Sequence, residues 1–347
     1  MQPQKETKPV ESPILKQIAI RTLEKDPYAS VSIVENHYLP SRSLSIFGGQ
    51  VIGQAILAAH TTIENGLSIH SFHGKFIDRT DPSQPVVYKV SPLRTGNTVA
   101  NYLVHAFQYT RLVFIATVSF HRFEKSPVLK YNQALATNFP DMSETVSVKR
   151  SDYYHAIFND NMKENDEVLL AAMEVRHMLP NMKRVAADIG KLKRFFEEPS
   201  TVPIGGIGKG SRAIKESFRS GCLANLTIWT SIIDSKTIHQ FMRVKGQLPT
   251  HPKYNAAAFG MASDAFSSQL PAVLVPHQDL AWMTSLDHVI YFHKPFDPTK
   301  WLAVQNKVAV ADGGRSVIEM KYWDKSGDLV ATVLQEGLFR GKSKSKL

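Results

Sequence analysis

The 347-residue chain contains one cysteine, Cys222, so no intrachain disulfide can form. This excludes the disulfide-dense scaffolds of small secreted proteins and fits a reducing compartment. The longest apolar run, around residues 112–120, is far shorter than the roughly 20 residues of a membrane-spanning helix. Residues 1–13 are polar and lack the apolar segment of a secretory signal peptide. We therefore expect neither secretion through a signal peptide nor a transmembrane helix.

Several signatures of catalysis and binding are missing or incomplete. No Gly-x-Ser-x-Gly elbow is present, which argues against an α/β-hydrolase nucleophile. The glycine-rich residues 205–210 lack the Gly-Lys-Ser/Thr order of a phosphate-binding loop, so they predict a flexible turn. Histidines occur in close pairs, His70 with His73 and His288 with His293, but odd spacing places the members of a pair on opposite faces of a strand. The sequence therefore predicts ordinary strand histidines and no metal site.

Charge of one sign is in excess. The chain has 41 Lys and Arg residues against 31 Asp and Glu, a net charge of +10. Such an excess suits an anionic partner, either nucleic acid, a membrane surface or a phosphorylated small molecule. The aromatic and basic alternation of a base-stacking platform is missing, so we expect no nucleic-acid binding. Much of the excess lies in residues 183–215 and 342–346, where solubility and targeting explain it as well as substrate attraction does.

What the chain has instead is an internal repeat at an offset of 216 residues, at which Phe76 corresponds to Phe292 and Val113 to Leu329. Each copy contains a helix of small and apolar residues, followed by segments that alternate or run apolar like strands. A helix that is apolar around most of its circumference must be wrapped rather than laid on a surface. The predicted architecture is therefore α+β, with each half a long helix wrapped by a curved antiparallel sheet.

The predicted elements follow one order in both copies. In the first copy they are a helical segment at residues 14–23, the long helix at 51–59 and strands at 69–77, 85–93, 98–108 and 112–123. In the second copy they are an opening strand at residues 171–179, a helix from Ser263 to about Val275 and strands at 285–293, 301–310, 316–324 and 329–340.

The domain organisation follows from these elements. We expect the first repeat to occupy residues 1–125 and the second to occupy residues 169–341, with a linker at 126–168 between them. A basic insertion at about residues 180–221 interrupts the second repeat, and a tail, residues 342–347, lies outside both.

The two copies differ at three positions where the second carries a carboxylate, a hydroxyl and an amide. These are Asp264, Ser285 and Gln335, at the offset positions of Gly48, Ile69 and Ser119. Such a set can hold and deprotonate one water without a covalent intermediate, with Asp264 as the base. A helix beginning at Asp264 could supply a backbone donor for a developing oxyanion. Taken singly, each residue has a structural explanation, as a helix N-cap or as a satisfied buried polar group.

At these positions the chain resembles the type II acyl-CoA thioesterases, which include bacterial thioesterase II and peroxisomal long-chain acyl-CoA thioesterases. The motifs are FGGQVIGQA from Phe47, HSFH from His70, SLDH from Ser285, FHKPF from Phe292 and QEGLFR from Gln335. The resemblance covers about residues 40–125, 170–180 and 255–340. It implies a double-hotdog fold and hydrolysis of acyl-CoA to free acid and CoA, without a cofactor. It also implies that Asp264, Ser285 and Gln335 match the family's water-orienting Asp, Thr/Ser and Gln.

Two other functions stay open. A hotdog enoyl-CoA hydratase would need an Asp–His pair, and no histidine lies near Asp264 in sequence. Alternatively, the chain could bind acyl-CoA or regulate an active relative, with little turnover of its own. The resemblance further implies a homo-oligomer, a dimer or higher, in which exposed sheet edges are paired.

The last three residues, Ser345, Lys346 and Leu347, form a peroxisomal address that a soluble import receptor reads. They follow two further lysines, Lys342 and Lys344, in a segment outside both repeats, where disorder is common. We therefore expect the protein in the peroxisomal matrix, with the import receptor and acyl-CoA as its partners.

Overall fold

The computed structural model describes residues 10–40, 43–63, 66–124, 126–135, 145–147, 173–178, 237–265 and 280–341. Within these ranges the α-helices are α1 (Ile14–Ile18), α2 (Gly48–His60) and α3 (Pro252–Ser263). The first strands are β1 (Ile20–Leu23), β2 (Asp26–Ser32), β3 (Ser68–Phe76), β4 (Val87–Arg94), β5 (Val99–Gln108) and β6 (Arg111–His121). The others are β7 (Thr145–Ser147), β8 (Met173–Met178), β9 (Thr237–Val244), β10 (Leu280–Phe292), β11 (Leu302–Asp312), β12 (Arg315–Trp323) and β13 (Leu329–Gly341).

The described strands form one 13-stranded sheet in the order β1-β2-β4-β5-β6-β3-β10-β13-β12-β11-β9-β8-β7. The two halves meet at the antiparallel pair of β3 and β10, where His73 lies opposite Val289. These residues are 216 positions apart, so a residue at the junction faces its own counterpart. Reading outward from the junction, both halves show the same strand order, which places a pseudo-twofold axis between β3 and β10.

The predicted strands of both repeats are present, and most of their ends agree with the structure within two residues. Two strands, β2 and β9, are missing from the prediction. They occupy equivalent places in the two halves, because β9 pairs with β11 as β2 pairs with β4. In β9 the alternation of polar and apolar residues is hidden because polar Gln240 occupies a buried position, 3% exposed, within a run of buried residues. β7 lies inside the range predicted as linker, and the repeat boundaries remain predictions.

The helical segment predicted at residues 14–23 is wrong in its second half. α1 ends at Ile18, the backbone of Ala19 is extended, and residues 20–23 form β1 against β2. Ile14 and Ile18 are fully buried in the core. The apolar spacing that suggested a longer helix therefore comes from α1 alone, which is about one and a half turns long.

The helix predicted from Ser263 to about Val275 is also wrong in position, because α3 ends at Ser263 and Asp264 is its C-cap. Its start was signalled by a proline at the first helical position, preceded by a capping side chain: His251 accepts a hydrogen bond from the Lys253 N–H. Residues 266–279 lie outside the described residues. Since α2 ends with Thr61 as its C-cap, the first-half counterpart of Asp264 is Thr61 rather than Gly48.

α2 and α3 pack antiparallel against each other inside the sheet, and glycines allow their backbones to approach. A Cβ atom at Gly53 would lie 2.8 Å from the Ala257 carbonyl oxygen. A Cβ at Gly260 would lie 2.6 Å from the Ile56 side chain. The antiparallel contact brings the N-terminus of α2 to the C-terminal end of α3.

Two buried glutamines of the FGGQVIGQA motif fix α2 in place. The Nε2 groups of Gln50 and Gln54 each donate to the Gln17 carbonyl oxygen at 2.8 Å, which ties α2 to α1. Gln50 Oε1 accepts from the Tyr38 N–H, and Gln54 Oε1 accepts from the Tyr88 hydroxyl. Since both side chains are fully buried and bonded at both ends, they determine where the first turn of α2 points.

Candidate active site

A bulge in β10 turns two polar side chains toward the helices. The register against β13 shifts between Ser285 and Asp287. On a regular strand, Ser285 and His288 would face opposite sides of the sheet, but the extra residue of a bulge re-aims one of them. Both side chains accordingly contact the same amide, that of Gln335 on β13. The first half has a register shift at the matching place, between Ile69 and Ser71 on β3.

Side-chain hydrogen bonds form a chain from α3 across β10 and β13. Ser263 Oγ lies 3.0 Å from His288 Nε2, and His288 Nδ1 lies 2.5 Å from Gln335 Oε1. The amide continues the chain, because Gln335 Nε2 donates to Ser285 Oγ at 2.6 Å. His288 is 0% exposed and Gln335 is 1% exposed, so these bonds form away from bulk water.

The Asp264 carboxylate lies beside this chain, at the end of α3. Its Oδ1 is 3.9 Å from His288 Nδ1, and the residue is 7% exposed. A Cβ atom built on Gly48, the first residue of α2, would lie 2.9 Å from Asp264 Oδ2 and 2.9 Å from the Phe76 ring. The N–H groups in the first turn of a helix have no intrahelical acceptors and carry partial positive charge. A helix N-terminus therefore does face Asp264, but it belongs to the helix of the other half.

Burial lowers the pKa of His288, and the Asp264 charge and the Gln335 hydrogen bond oppose that shift in part. The net direction is downward, so the imidazole is neutral at pH 7 and carries one proton. Because Gln335 Oε1 can only accept, that proton lies on Nδ1, and Nε2 is the unprotonated nitrogen, which faces Ser263 Oγ. Burial, reinforced by the Asp264 charge, also raises the pKa of Tyr322 above its usual value.

The structure thus brings the three residues named from sequence to one place and adds two others. Ser285 and Gln335 are hydrogen-bonded, and Asp264 approaches them through His288. The sequence analysis missed His288 because it considered this residue only as a partner of His293. The bulge between Ser285 and Asp287, which brings Ser285 and His288 to the same amide, leaves no sign in the sequence. Nothing in the sequence around Ser263 indicated a role in the site, and we had assigned it only to the start of a predicted helix.

Within the described ranges, no group of three or more His, Cys, Asp or Glu side chains is arranged to hold a metal ion. None of the helices in the same ranges is long and apolar enough to span a membrane. Other sequence features lie outside the described residues, namely Cys222, the glycine-rich residues 205–210, the basic insertion 180–221 and the tail Ser345–Leu347.

Comparison with known proteins gives two family matches and several relatives along most of the chain. The family model described as acyl-CoA thioesterase N-terminal domain matches residues 38–121, and the one described as acyl-CoA thioesterase C-terminal domain matches residues 220–339. Acyl-coenzyme A thioesterase 8 of Rattus norvegicus is 27% identical over 337 residues, covering 94% of this chain and 90% of the relative. Peroxisomal acyl-coenzyme A thioester hydrolase 1 of Saccharomyces cerevisiae is 24% identical, covering 91% and 93%.

Solved structures resemble the whole described fold. An acyl-CoA thioesterase II from Mycobacterium marinum aligns with a TM-score of 0.61 and 21% identity, covering 96% of this chain and 99% of that one. A protein from Alicyclobacillus acidocaldarius described as having a hot dog fold aligns with a TM-score of 0.63 and 15% identity, covering 94% and 98%. At these identities the likeness concerns the fold, and the α+β double-hotdog prediction is confirmed.

Proposed function

Because this chain belongs to the type II acyl-CoA thioesterase family and is thus a thioester hydrolase, we propose that it cleaves fatty acyl-CoA to free fatty acid and CoA at Asp264, Ser285 and Gln335. The observation that carries the proposal is the Gln335–Ser285 hydrogen bond beside the Asp264 carboxylate and the start of α2. General-base hydrolysis of a thioester needs a base, groups that position water, and a donor for the carbonyl oxygen. All of these types of group are present.

In the proposed reaction, Asp264 accepts a proton from a water positioned by Gln335 and Ser285. The water oxygen then attacks the thioester carbonyl carbon. Negative charge develops on the carbonyl oxygen, where the N–H groups of Gly48 and Gly49 at the start of α2 are suited to stabilise it. As the C–S bond breaks, the sulfur leaves with the proton held by Asp264, giving free CoA and a fatty acid. One water is consumed, and no covalent intermediate with the protein forms.

Hydration of enoyl-CoA is the rival chemistry, since the structure places a histidine 3.9 Å from Asp264. However, the two ring nitrogens of His288 are occupied by Ser263 and Gln335, and the side chain is fully buried. Neither nitrogen is open to exchange a proton with substrate, as a catalytic histidine must. The contacts therefore favour hydrolysis over hydration.

A thiol-release assay with purified protein and a panel of acyl-CoA and enoyl-CoA substrates tests the proposal. We expect free CoA and free acid in equal amounts, and a strong loss of both in Asp264→Asn. Binding of acyl-CoA without CoA release would instead indicate a binding or regulatory protein. Loss of the enoyl absorbance without thiol release would indicate a hydratase.

We also propose that the protein forms a homodimer or a larger homo-oligomer. β1 and β7 end the sheet of described strands, and an edge strand presents unpaired backbone groups that favour pairing with another chain. Light scattering should give a particle larger than the 38.8 kDa chain. A particle of that mass at working concentration would contradict the proposal.

The repeat boundaries, residues 1–125 and 169–341, fit an origin by duplication of one hotdog unit. Supporting this proposal are the strand offset of 216 residues and the pairing of His73 with its own counterpart, Val289. The insertion at 180–221 lies in sequence between β8 and β9, whereas two residues, 24 and 25, separate their counterparts β1 and β2.

A peroxisomal location is proposed from the tail Ser345-Lys346-Leu347, and the yeast relative is named peroxisomal. The partner would be the soluble import receptor that reads such a tail. A fluorescent protein fused to the N-terminus should be imported, and deletion of the three residues should abolish import. Hydrolysis should survive this deletion, because the tail lies outside both repeats. Persistent import would place the address elsewhere.

A further inference from the structure

His288 lies at the centre of the cluster, and the chemistry proposed above does not use it. Its side chain is 0% exposed, Nε2 lies 3.0 Å from Ser263 Oγ and Nδ1 lies 2.5 Å from Gln335 Oε1. Since both nitrogens have side-chain partners, the ring cannot reach water or thioester directly. The hydrogen bond that links it to the water-positioning groups is the one to Gln335.

The Gln335 amide has two possible orientations, which exchange its oxygen and its NH₂ group. A protonated Nδ1 on His288 selects one of them, because a donor can face the amide oxygen but not the amide NH₂. With Oε1 held in this way, Nε2 turns to Ser285 and donates to its Oγ at 2.6 Å. The Ser285 oxygen accepts that bond, so the hydroxyl proton is left for donation to a substrate or water.

Asp264 favours the proton on Nδ1, and Ser263 fixes the position of the ring. Asp264 Oδ1 lies 3.9 Å from Nδ1, and a negative charge favours a proton on the nearer nitrogen. Ser263 Oγ lies 3.0 Å from Nε2 and 3.0 Å from the Gly260 carbonyl oxygen, which anchors the far side of the ring to α3. The ring is therefore fixed in both position and tautomer.

We propose that His288 is a positioning residue, whose Nδ1–H holds the Gln335 amide with its NH₂ group toward Ser285. This role rests on the proposed function of the same cluster. At the 216-residue offset the counterpart of His288 is Phe72, a buried ring without a hydrogen-bonding group. Opposite Phe72 lies Val118, where Gln335 lies opposite His288. The orienting contact therefore exists in the second half alone.

Steady-state kinetics on three His288 variants test this role. His288→Asn can place an N–H near the position of Nδ1, His288→Gln can place one near Nε2, and His288→Leu has none. We expect His288→Leu to lower kcat about 10–10²-fold with KM changed less than about threefold, and His288→Asn to lose least. His293→Leu, immediately after the same strand and exposed, is the matched control and should keep its kcat.

A purely structural role would lower thermal stability in His288→Leu but leave kcat of the folded protein near the wild-type value. A positioning role predicts instead that His288→Leu adds less than about twofold when Gln335 is already Ala, since no amide remains to be oriented. Unchanged kcat in His288→Leu, or its full effect persisting beside Gln335→Ala, would overturn the proposal.

Should His288→Leu fail to fold, the Asn and Gln variants decide the matter. kcat should be several-fold higher for Asn than for Gln, and equal values or the reverse order would refute the role. A wild-type protein that releases no CoA from any acyl-CoA would instead refute the proposed function.

Discussion

At one end of the α2–α3 pair, Gly48 at the start of α2 meets the Asp264 carboxylate at the end of α3. At the other end the helices exchange roles, and α3 begins beside the end of α2. There His60 experiences the charges of His251 and Lys253, and the C-cap of α2 is the exposed Thr61. One framework thus presents a carboxylate at one end and basic groups at the other.

The strands show the same difference between the halves. The positions that carry polar groups in the second half carry apolar or shorter side chains in the first. The pairs are Ser285 and Ile69, His288 and Phe72, and Gln335 and Val118, as the strand pairing in the two halves shows. The fold therefore accepts either set, and a site requires several replacements at once. This explains why we assign one active site per chain.

A carboxylate at a helix C-terminus is unfavourable for its own helix, because that end carries partial negative charge. Asp264 occupies such a place on α3, but the positive N-terminus of α2 lies against it. The proposed base thus depends on the helix of the other half. Neither half alone contains all the groups of the proposed site.

The largest effect should come from removing the proposed base, Asp264. Asp264→Asn keeps the shape but cannot accept a proton, so kcat should fall about 10²–10⁴-fold. Thr61→Ala, at the corresponding helix end of the first half, should leave thioester hydrolysis intact. Near-normal turnover in folded Asp264→Asn would move the active site elsewhere.

The next effect concerns the water-positioning groups. Gln335→Ala and Ser285→Ala each remove a polar contact and should lower kcat about 10–10³-fold. Ser119→Ala, which removes a hydroxyl from β6, the equivalent strand of the first half, should not. The double variant Asp264→Asn with Gln335→Ala should be little worse than Asp264→Asn alone, because the groups act on one water. If the fold-losses in kcat of the two single variants multiply in the double variant, Asp264 and Gln335 act independently.

Alanine substitutions at two glycines of α2 should have different effects, one on catalytic activity and the other on stability. A Cβ at Gly48 would contact the ends of the Asp264 and Phe76 side chains, so Gly48→Ala should displace the carboxylate and lower kcat about tenfold. A Cβ at Gly53 would lie 2.8 Å from the Ala257 backbone oxygen, so Gly53→Ala should cost about 1–3 kcal/mol of unfolding free energy. Urea unfolding and kcat measured on both variants check this division; equal stability losses would contradict it.

The halves also show how far the sequence could predict the structure. Alternating apolar residues identified most of the strands in both halves, and the 216-residue offset holds between β3 and β10, so it paired Ser285 with Ile69. Between β6 and β13 the offset is 217, because Gln335 lies opposite His288 as Val118 lies opposite Phe72. The structural counterpart of Gln335 is therefore Val118, and the pairing with Ser119 was wrong. The offset fails at the helices, because the start of α3 lies 204 residues after that of α2. Asp264 was therefore identified against the wrong counterpart. His288 required the bulge, which no periodicity in the sequence reveals.

The smallest expected effect concerns His60, which lies at the opposite end of the helix pair from His288. Burial, together with His251 and Lys253, lowers the pKa of His60 to about 3, whereas an unfolded histidine has a pKa of about 6.5. Between these values the unfolded chain binds a proton that the folded chain does not, so the free energy of unfolding falls as pH falls below about 6.5.

His60 Nε2 has no hydrogen-bond partner among the described residues, and its ring packs edge-on against Phe120 at 4.8 Å, so a phenylalanine can take its place without losing a bond. His60→Phe should reduce the loss of unfolding free energy between pH 7 and pH 5 by about 1–2 kcal/mol, measured by urea unfolding, with kcat at pH 7 retained. His288, whose pKa burial also lowers, should respond differently: its removal relieves part of the acid sensitivity but lowers kcat. An unchanged pH dependence in His60→Phe would show that His60 titrates normally. The acid sensitivity would then have to come from histidines other than His60, His288 among them.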